Sequence, residues 1–142
     1  MIGKVITPDF LKNGRGRVLI VERDALQAYL LEAKLREAGW AVESVAGPGE
    51  AILFCRENNF DVAIINYRYP GKMNGFELAA LLRERCESSS LMITATSYSE
   101  LQRCASFSKT QDILFKPYRL MQCVPRLRRL IAGEPLLKEH NI

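Results

Sequence analysis

Polar side chains directly follow four short apolar runs of this chain, where a sheet would bring them together. They are Glu22 and Arg23 after "RVLIV", Asn66 after "DVAII", Thr96 and Ser97 after "LMITA", and Lys116 after "DILF". Asn66 is notable because its carboxamide has no anionic oxygen and no lone pair that attacks an electrophile at neutral pH. The residue types therefore indicate a site with cations, hydroxyls and one carboxylate, but with no nucleophile at Asn66.

Strands and helices must alternate along the chain to position these residues. Runs of apolar residues predict five strands, at 17–22, 40–46, 61–65, 91–96 and 112–115. Cap signals predict where three helices begin: Asp24 with Gln27, Asn74 with Glu77, and Ser97 with Glu100. Two further helices are expected, one from "GPGE" to about Asn58 and one along 120–131 that Pro125 kinks or delays.

Helical spacing of apolar residues supports these assignments. The first helix is predicted from Leu26, Tyr29, Leu30 and Ala33, and the helix after Ser97 from Leu101, Cys104 and Ala105. Five strands alternating with five helices predict an α/β fold, with a doubly wound parallel sheet covered on both faces. In such a fold, ligands bind at the carboxyl ends of the strands.

Composition bounds the class of protein. The 142 residues suffice for one domain, which we place at 17–132, between a leader (1–16) and a short tail (133–142) that is too small to fold alone. The sequence contains no apolar stretch long enough to span a bilayer, so we expect a cytoplasmic protein. Its four cysteines are Cys55, Cys86, Cys104 and Cys123. They are isolated in sequence, which predicts buried or semi-buried thiols rather than a zinc site or disulfide framework.

Several nucleotide sites are excluded by the missing motifs. The segment after the first strand, "ERDALQ", lacks the glycines that bind a pyrophosphate, and "NGRGR" precedes that strand instead of following it. The chain has no phosphate-binding loop of the G-x-x-x-x-G-K-[ST] type. The first turn also lacks the residues that cradle phosphate in flavodoxins.

The residues at the strand ends resemble those of the receiver domain of bacterial two-component response regulators. The resemblance covers residues 16 to 132 and rests on "VLIVERD", "FDVAIINYRYPGKMNGFEL", "TS" at 96–97 and "FKPY" at 115–118. It implies a flavodoxin-like sheet of strand order 2-1-3-4-5. It also implies a site where two acidic residues and an aspartate hold Mg²⁺, and where that aspartate accepts a phosphoryl group from a histidine kinase.

By this resemblance, Glu22 and Arg23 occupy the acidic-pair positions and Asn66 the phosphoacceptor position. Glu22 keeps its carboxylate and is a weak candidate metal ligand. Arg23 replaces an acid with a permanent cation. We therefore expect no cofactor, with Mg²⁺ binding lost or weak, and no acyl phosphate on Asn66. We further hypothesise that Arg23 bridges Glu22 and Asn66 and fills the metal position; the alternative is that Arg23 turns to solvent.

The resemblance also assigns two phosphate-contact positions. Thr96 matches the hydroxyl position, with Thr94 as the less favoured choice, and Lys116 matches the lysine. The turn from Pro70 to Gly75 is one residue longer than the family pattern.

The function expected from these changes is that of a degenerate receiver, not an enzyme, acting as a phosphorylation-independent protein interaction module. Its partner would be a histidine kinase or another regulator. A homodimer could form through the fourth helix, fifth strand and fifth helix, with charged contacts from Asp112, Arg119 and Arg126.

Two alternatives stay open. The chain could be phosphorylated on another residue, although Asp24 and Asp61 are poorly placed for attack. The basic last helix could instead bind nucleic acid, although no motif accompanies its charge.

Overall fold

A five-stranded parallel sheet is the centre of the fold. The computed structural model describes residues 16–103 and 112–133. The strands are β1 (Arg17–Val21), β2 (Ala41–Val45), β3 (Val62–Asn66), β4 (Ser89–Thr94) and β5 (Asp112–Phe115). They pair in the order β2-β1-β3-β4-β5, all parallel, which confirms the expected flavodoxin-like arrangement.

In the described part of the chain, five α-helices alternate with the strands, as predicted. They are α1 (Ala25–Glu37), α2 (Pro48–Glu57), α3 (Gly75–Cys86), α4 (Tyr98–Gln102) and α5 (Cys123–Ile131), with a 3-10 turn at Leu120–Gln122 before α5. The expected continuation of α4 through Cys104 and Ala105 lies outside the described residues. Within the described parts of the chain, no helix is long and apolar enough to cross a membrane.

The predicted caps are present at three helix starts. The Asp24 side chain accepts hydrogen bonds from two backbone N–H groups of α1, and Ser97 accepts one from Glu100. Asn74 and Glu77 form a complete capping box at α3, in which each side chain bonds the other's backbone N–H. Because helix ends leave these donors without intrahelical partners, the caps fix where each helix starts beside the sheet edge.

Pro125 delays the last helix rather than kinking it. The chain first forms the 3-10 turn, and regular α-helix begins at Cys123. Pro125 is then the third residue of α5, within the first turn, where a missing N–H costs no intrahelical hydrogen bond.

Apolar side chains form one core on each face of the sheet. The first core contains side chains of α1 and α5, among them Leu31, Leu35 and Leu127. The second contains side chains of α2, α3 and α4, among them Leu82 and Leu101. Both faces of the sheet are therefore covered, which is the arrangement expected for near-continuous apolar strands.

The residues that α1 buries are not the ones whose spacing predicted this helix. Ala28, Leu31 and Leu35 are its buried residues. Leu26 and Tyr29, which belong to the predicted spacing, are 63% and 65% exposed. Because the helix carries apolar residues on both sides, periodicity identified the helix but not the side that packs.

The proposed contact residues of β5 and α5 need a correction. Asp112 is fully buried, and Nη1 of Arg126 lies 2.8 Å and 2.9 Å from its two carboxylate oxygens. Asp112 therefore joins β5 to α5 inside the fold and does not lie on a contact surface, so the prediction for it was wrong. Arg126 is engaged in the same pair. Arg119 is exposed, as a contact residue would need to be.

Candidate functional site

The carboxyl edge of the sheet brings the predicted site residues together. Glu22 directly follows β1, and Asn66 is the last residue of the neighbouring β3. Asn66 pairs with Ile93 in the register of β4, and Thr94 pairs with Phe115 in β5, directly before Lys116. Since the strands run parallel, these side chains lie along one edge of the sheet. At this edge the chain passes from the strands to helices on opposite faces of the sheet.

The Glu22 carboxylate is held on both sides by hydrogen-bond donors. Its Oε1 accepts from the side-chain Nδ2 of Asn66 at 3.1 Å, and its Oε2 accepts from the backbone N–H of Asp24 at 2.9 Å. The backbone N–H of Glu22 donates to the carbonyl of Val45 at 3.0 Å, so its position is set by β2 as well. The carboxamide of Asn66 thus links the ends of the two central strands.

Arg23 does not form the bridge that was hypothesised. Its side chain is exposed, and among the described residues no ion pair or hydrogen bond includes it. Asn66 contacts Glu22 directly, which leaves no need for a bridging guanidinium. The exposed position also keeps the Arg23 cation hydrated, so burial adds no desolvation cost.

The donor set does not fit a magnesium ion. Mg²⁺ requires near-octahedral oxygen ligation, typically with one or two carboxylates. Here Glu22 and Asp24 are the carboxylates that line the cleft beside Asn66. Both oxygens of Glu22 accept hydrogen bonds, and Oδ1 of Asp24 caps α1. Over residues 16–103 and 112–133 no group of three or more His, Cys, Asp or Glu side chains could hold a metal ion.

Tyr69 is a site residue that the sequence analysis missed. Its hydroxyl donates to the carbonyl of Val21 at 2.8 Å and accepts from the backbone N–H of Asn66 at 2.7 Å. Burial raises the pKa of Tyr69 well above its usual range; the N–H of Asn66 acts in the opposite direction, and the Glu22 carboxylate raises the pKa further. The phenol therefore stays protonated and forms a second link between the ends of β1 and β3.

The turn after β3 depends on a close backbone approach at Gly75. The N–H of Gly75 donates to the carbonyl of Tyr67 at 2.7 Å. A Cβ placed on Gly75 would lie 2.2 Å from the backbone oxygen of Asn66, a distance that no side chain tolerates. Glycine is therefore required here, because it alone lets the start of α3 pack against the end of β3.

The two candidate hydroxyls, Thr94 and the favoured Thr96, lie at different points after the register partner of Asn66. Thr94 ends β4 one residue beyond the register partner of Asn66, whereas Thr96 lies two residues beyond the strand. The hydroxyl of Thr94 accepts from the N–H of Thr96 at 2.9 Å, and its carbonyl accepts from the N–H of Lys116 at 2.8 Å. Both threonines line one open cleft together with Asn66 and Lys116.

Arg68 brings a further cation to this cleft. It borders the cleft on the Thr94 side and a second, shallow cleft beside Glu22 and Arg23. Its guanidinium lies 3.3 Å from Glu100 and 5.6 Å from the ring centre of Tyr67. Both charged partners are exposed, so the pair adds little stability. The two clefts are therefore lined by charges of both signs: the bases Arg23, Arg68 and Lys116 and the acids Glu22, Asp24 and Glu100.

A protein-family comparison and relatives of known sequence agree on one family. The model of the family described as response regulator receiver domain matches residues 18–128. The regulatory protein VanRB of Enterococcus faecalis is 31% identical over 127 residues, which are 89% of this chain and 57% of that protein. The transcriptional regulatory protein TcrA of Mycobacterium tuberculosis is 31% identical over 121 residues, 84% of this chain and 47% of that protein. The chain thus spans about half the length of these relatives.

Solved structures show the same fold. A signal receiver domain of a modulated diguanylate cyclase from Desulfovibrio desulfuricans G20 is 26% identical with a TM-score of 0.73, covering 84% of this chain and 95% of that one. A response regulator receiver protein from Sinorhizobium medicae WSM419 is 21% identical with a TM-score of 0.73, covering 84% and 96%.

Removing the Tyr69 hydroxyl should destabilise the fold. In Tyr69→Phe, the carbonyl of Val21 and the N–H of Asn66 each lose a partner, so we expect a loss of about 1 to 3 kcal/mol in the free energy of unfolding. Tyr29→Phe is the matched control, because Tyr29 is 65% exposed on α1. Its free energy of unfolding should stay within about 0.5 kcal/mol of the wild-type value. Urea unfolding measures the free energy of unfolding of both variants. Equal unfolding midpoints for the two variants would contradict the assigned role of Tyr69.

Proposed function

The chain belongs to the response regulator receiver domain family of two-component signalling, and on that premise we propose that it signals without phosphorylation of Asn66. The observation that carries the proposal is the hydrogen bond from the Asn66 carboxamide to Glu22. The position at which β3 ends holds a donor bound to a carboxylate, in place of an anionic oxygen free to attack. The chain then acts as a protein interaction module and not as an enzyme.

The chemistry of an amide supports this proposal. Phosphoryl transfer to a protein side chain needs an oxygen nucleophile and cations that neutralise the transferring oxygens. The carboxamide of Asn66 supplies no such nucleophile, and the residues around Glu22 do not fit a magnesium ion. Loss of magnesium binding is therefore part of the proposal. Lys116 and Thr94 remain at the edge, but they would contact a phosphoryl group only after another residue had accepted it.

Neither aspartate near the site is placed to replace Asn66. Oδ1 of Asp24 accepts the N–H groups of Leu26 and Gln27 at the start of α1, which fixes its carboxylate as a helix cap. Asp61 precedes β3, at the opposite edge of the sheet, where its Oδ2 accepts the N–H of Arg17 at 2.9 Å. Both carboxylates serve structure, which argues against a receiver phosphorylated at either of them.

Incubation with Mg²⁺ and acetyl phosphate tests the proposal. We expect intact-mass spectrometry to show no labile phosphoryl increment on the wild-type chain, because no carboxylate stands at the end of β3. The matched control is Asn66→Asp with Arg23→Asp, which restores a nucleophile and a second acid to the edge. We expect this variant to gain the increment.

Two results would count against the proposal in different ways. A labile increment on the wild-type chain, located by peptide mapping after hydroxylamine treatment, would overturn the phosphorylation-independent function. If the restored variant folds but gains no increment, the defect is not confined to positions 23 and 66, and the assignment of the site from Asn66 would be wrong.

The partner is a second part of the proposal. Between residues 103 and 132 the sequence has one acid, Asp112, and the bases Arg103, Lys109, Lys116, Arg119, Arg126, Arg128 and Arg129. Since Asp112 is buried and paired with Arg126, two copies meeting through β5 and α5 would bring like charges together. We therefore propose a different signalling protein with an acidic surface as partner, in the cytoplasm, rather than a homodimer through this face.

Sedimentation velocity at low ionic strength tests the absence of self-pairing. We expect a monomer at every concentration, because low salt strengthens repulsion between the exposed arginines. The opposite result would be a dimer that forms as the concentration rises. If Arg119→Glu altered the amount of this dimer and the control Arg83→Glu on α3 did not, the hypothesis of a homodimer through β5 and α5 would be correct.

A further inference from the structure

Two cysteines from different helices face each other beside the second core. Cys55 lies near the end of α2 and Cys86 is the last residue of α3, and both pack against that core as partly buried side chains. The thiol of Cys86 donates to the backbone oxygen of Cys55 at 3.8 Å. The two residues are 31 positions apart in sequence, so their meeting is a product of the fold.

The surroundings of Cys86 also include the Cys55 thiol. Burial raises the pKa of the Cys86 thiol to about 12, and the neighbouring Cys55 raises this pKa further. The sulfur of Cys86 contacts the backbone of Cys55 across two helices that pack against the same core. A disulfide requires the two sulfurs to come within about 2 Å of each other, and rotation of the two side chains would have to supply that approach.

Solvent exposure distinguishes the Cys55–Cys86 pair from Cys123. Cys55 and Cys86 are partly exposed, whereas Cys123, the first residue of α5, is fully buried. Burial raises the pKa of the Cys123 thiol to about 12 with no second sulfur among its causes. A small oxidant in solution therefore meets the Cys55–Cys86 pair and not Cys123.

We propose that Cys55 and Cys86 form a reversible disulfide that joins α2 to α3 when the chain meets a hydroperoxide or a small-molecule disulfide. The inference is independent of the proposed function, since it concerns neither Asn66 nor its partner. It assigns a modification site to a pair that the sequence alone predicted to be buried or semi-buried thiols outside any disulfide framework.

The reaction balances as a two-electron oxidation. The Cys55 thiolate attacks one oxygen of the hydroperoxide, the O–O bond breaks, and Cys55 becomes a sulfenic acid while water or alcohol leaves. The sulfur of Cys86 then attacks the Cys55 sulfur, an S–S bond forms, and the hydroxyl leaves as water with the proton of Cys86. With a small-molecule disulfide, Cys55 first forms a mixed disulfide, and Cys86 displaces the second thiol. We assign the first attack to Cys55 because burial raises the pKa of Cys86 and so disfavours its thiolate; Cys86 then reacts second, losing its proton as it attacks.

The bond would close a covalent loop around β3 and the turn after it. That loop contains Asn66, Tyr69 and Gly75, so the crosslink constrains the segment on which the site is built. A crosslink between two elements already packed together removes conformations from the unfolded chain more than from the folded one. The oxidised chain should therefore unfold at a higher denaturant concentration than the reduced chain.

Peptide mapping of the whole chain tests the proposal directly. The chain is treated with hydrogen peroxide or with oxidised glutathione, blocked with N-ethylmaleimide and cut with trypsin without reduction. Trypsin places Cys55 in fragment 37–56, Cys86 in fragment 86–103 and Cys123 in fragment 120–126. We expect a linked species of the first two fragments, lighter by two hydrogen atoms than their sum, that dithiothreitol abolishes. The urea midpoint should rise with the link and fall again on reduction.

Matched variants separate this pair from general thiol oxidation. Cys104→Ser should keep the linked species, and Cys55→Ser or Cys86→Ser should lose it together with the rise in midpoint. Blocked or glutathione-bearing fragments without the link in the wild-type chain would overturn the proposal. A link that joins two chains, or that leaves the urea midpoint unchanged, would also overturn it.

Discussion

The hydrogen bond from the Asn66 carboxamide to Glu22 is the interaction on which the site depends. β1 and β3 are the central strands, and their ends would carry two like charges if both residues were acids. Like charges in such proximity need a cation or a proton to be stable. An amide removes one charge and adds a donor, so the two strand ends attract each other without a metal. The Tyr69 hydroxyl repeats the link through the backbone of the same strands.

Most of the fold was predictable from local signals, because strands buried on both faces are short apolar runs and helices begin at polar caps. Asn74 with Glu77 is an example in which a four-residue pattern gave both the start and the hydrogen bonds of α3. The packed side of α1 was not predictable, since apolar residues lie on both of its sides and tertiary packing selects one. For the same reason the burial of Asp112 escaped sequence analysis: its partner Arg126 is 14 positions away, on another element.

The site was predicted only as far as residue types at strand ends allow. Asn66, Glu22 and Lys116 lie along one edge as expected. Arg23 was misplaced because a charge next to Glu22 in sequence turns away from it as the chain leaves the strand. No sequence pattern identified Tyr69 as a site residue, because an aromatic residue in a turn is usually a packing residue. The hydrogen bonds of its hydroxyl depend on where β1 and β3 end, which the sequence does not give. The positions of Thr94 and Thr96 relative to Asn66 became known only with the register of β4.

Magnesium titration of the ¹⁵N-labelled chain tests the central claim most directly. The side-chain amide signal of Asn66 and the backbone signals of Glu22 and Asp24 report on the two oxygens of the Glu22 carboxylate. If the amide completes the site without a metal, these signals move no more with MgCl₂ than with NaCl of equal ionic strength. Saturable movement at millimolar Mg²⁺, with loss of the hydrogen-bonded position of the Asn66 amide signal, would contradict the account.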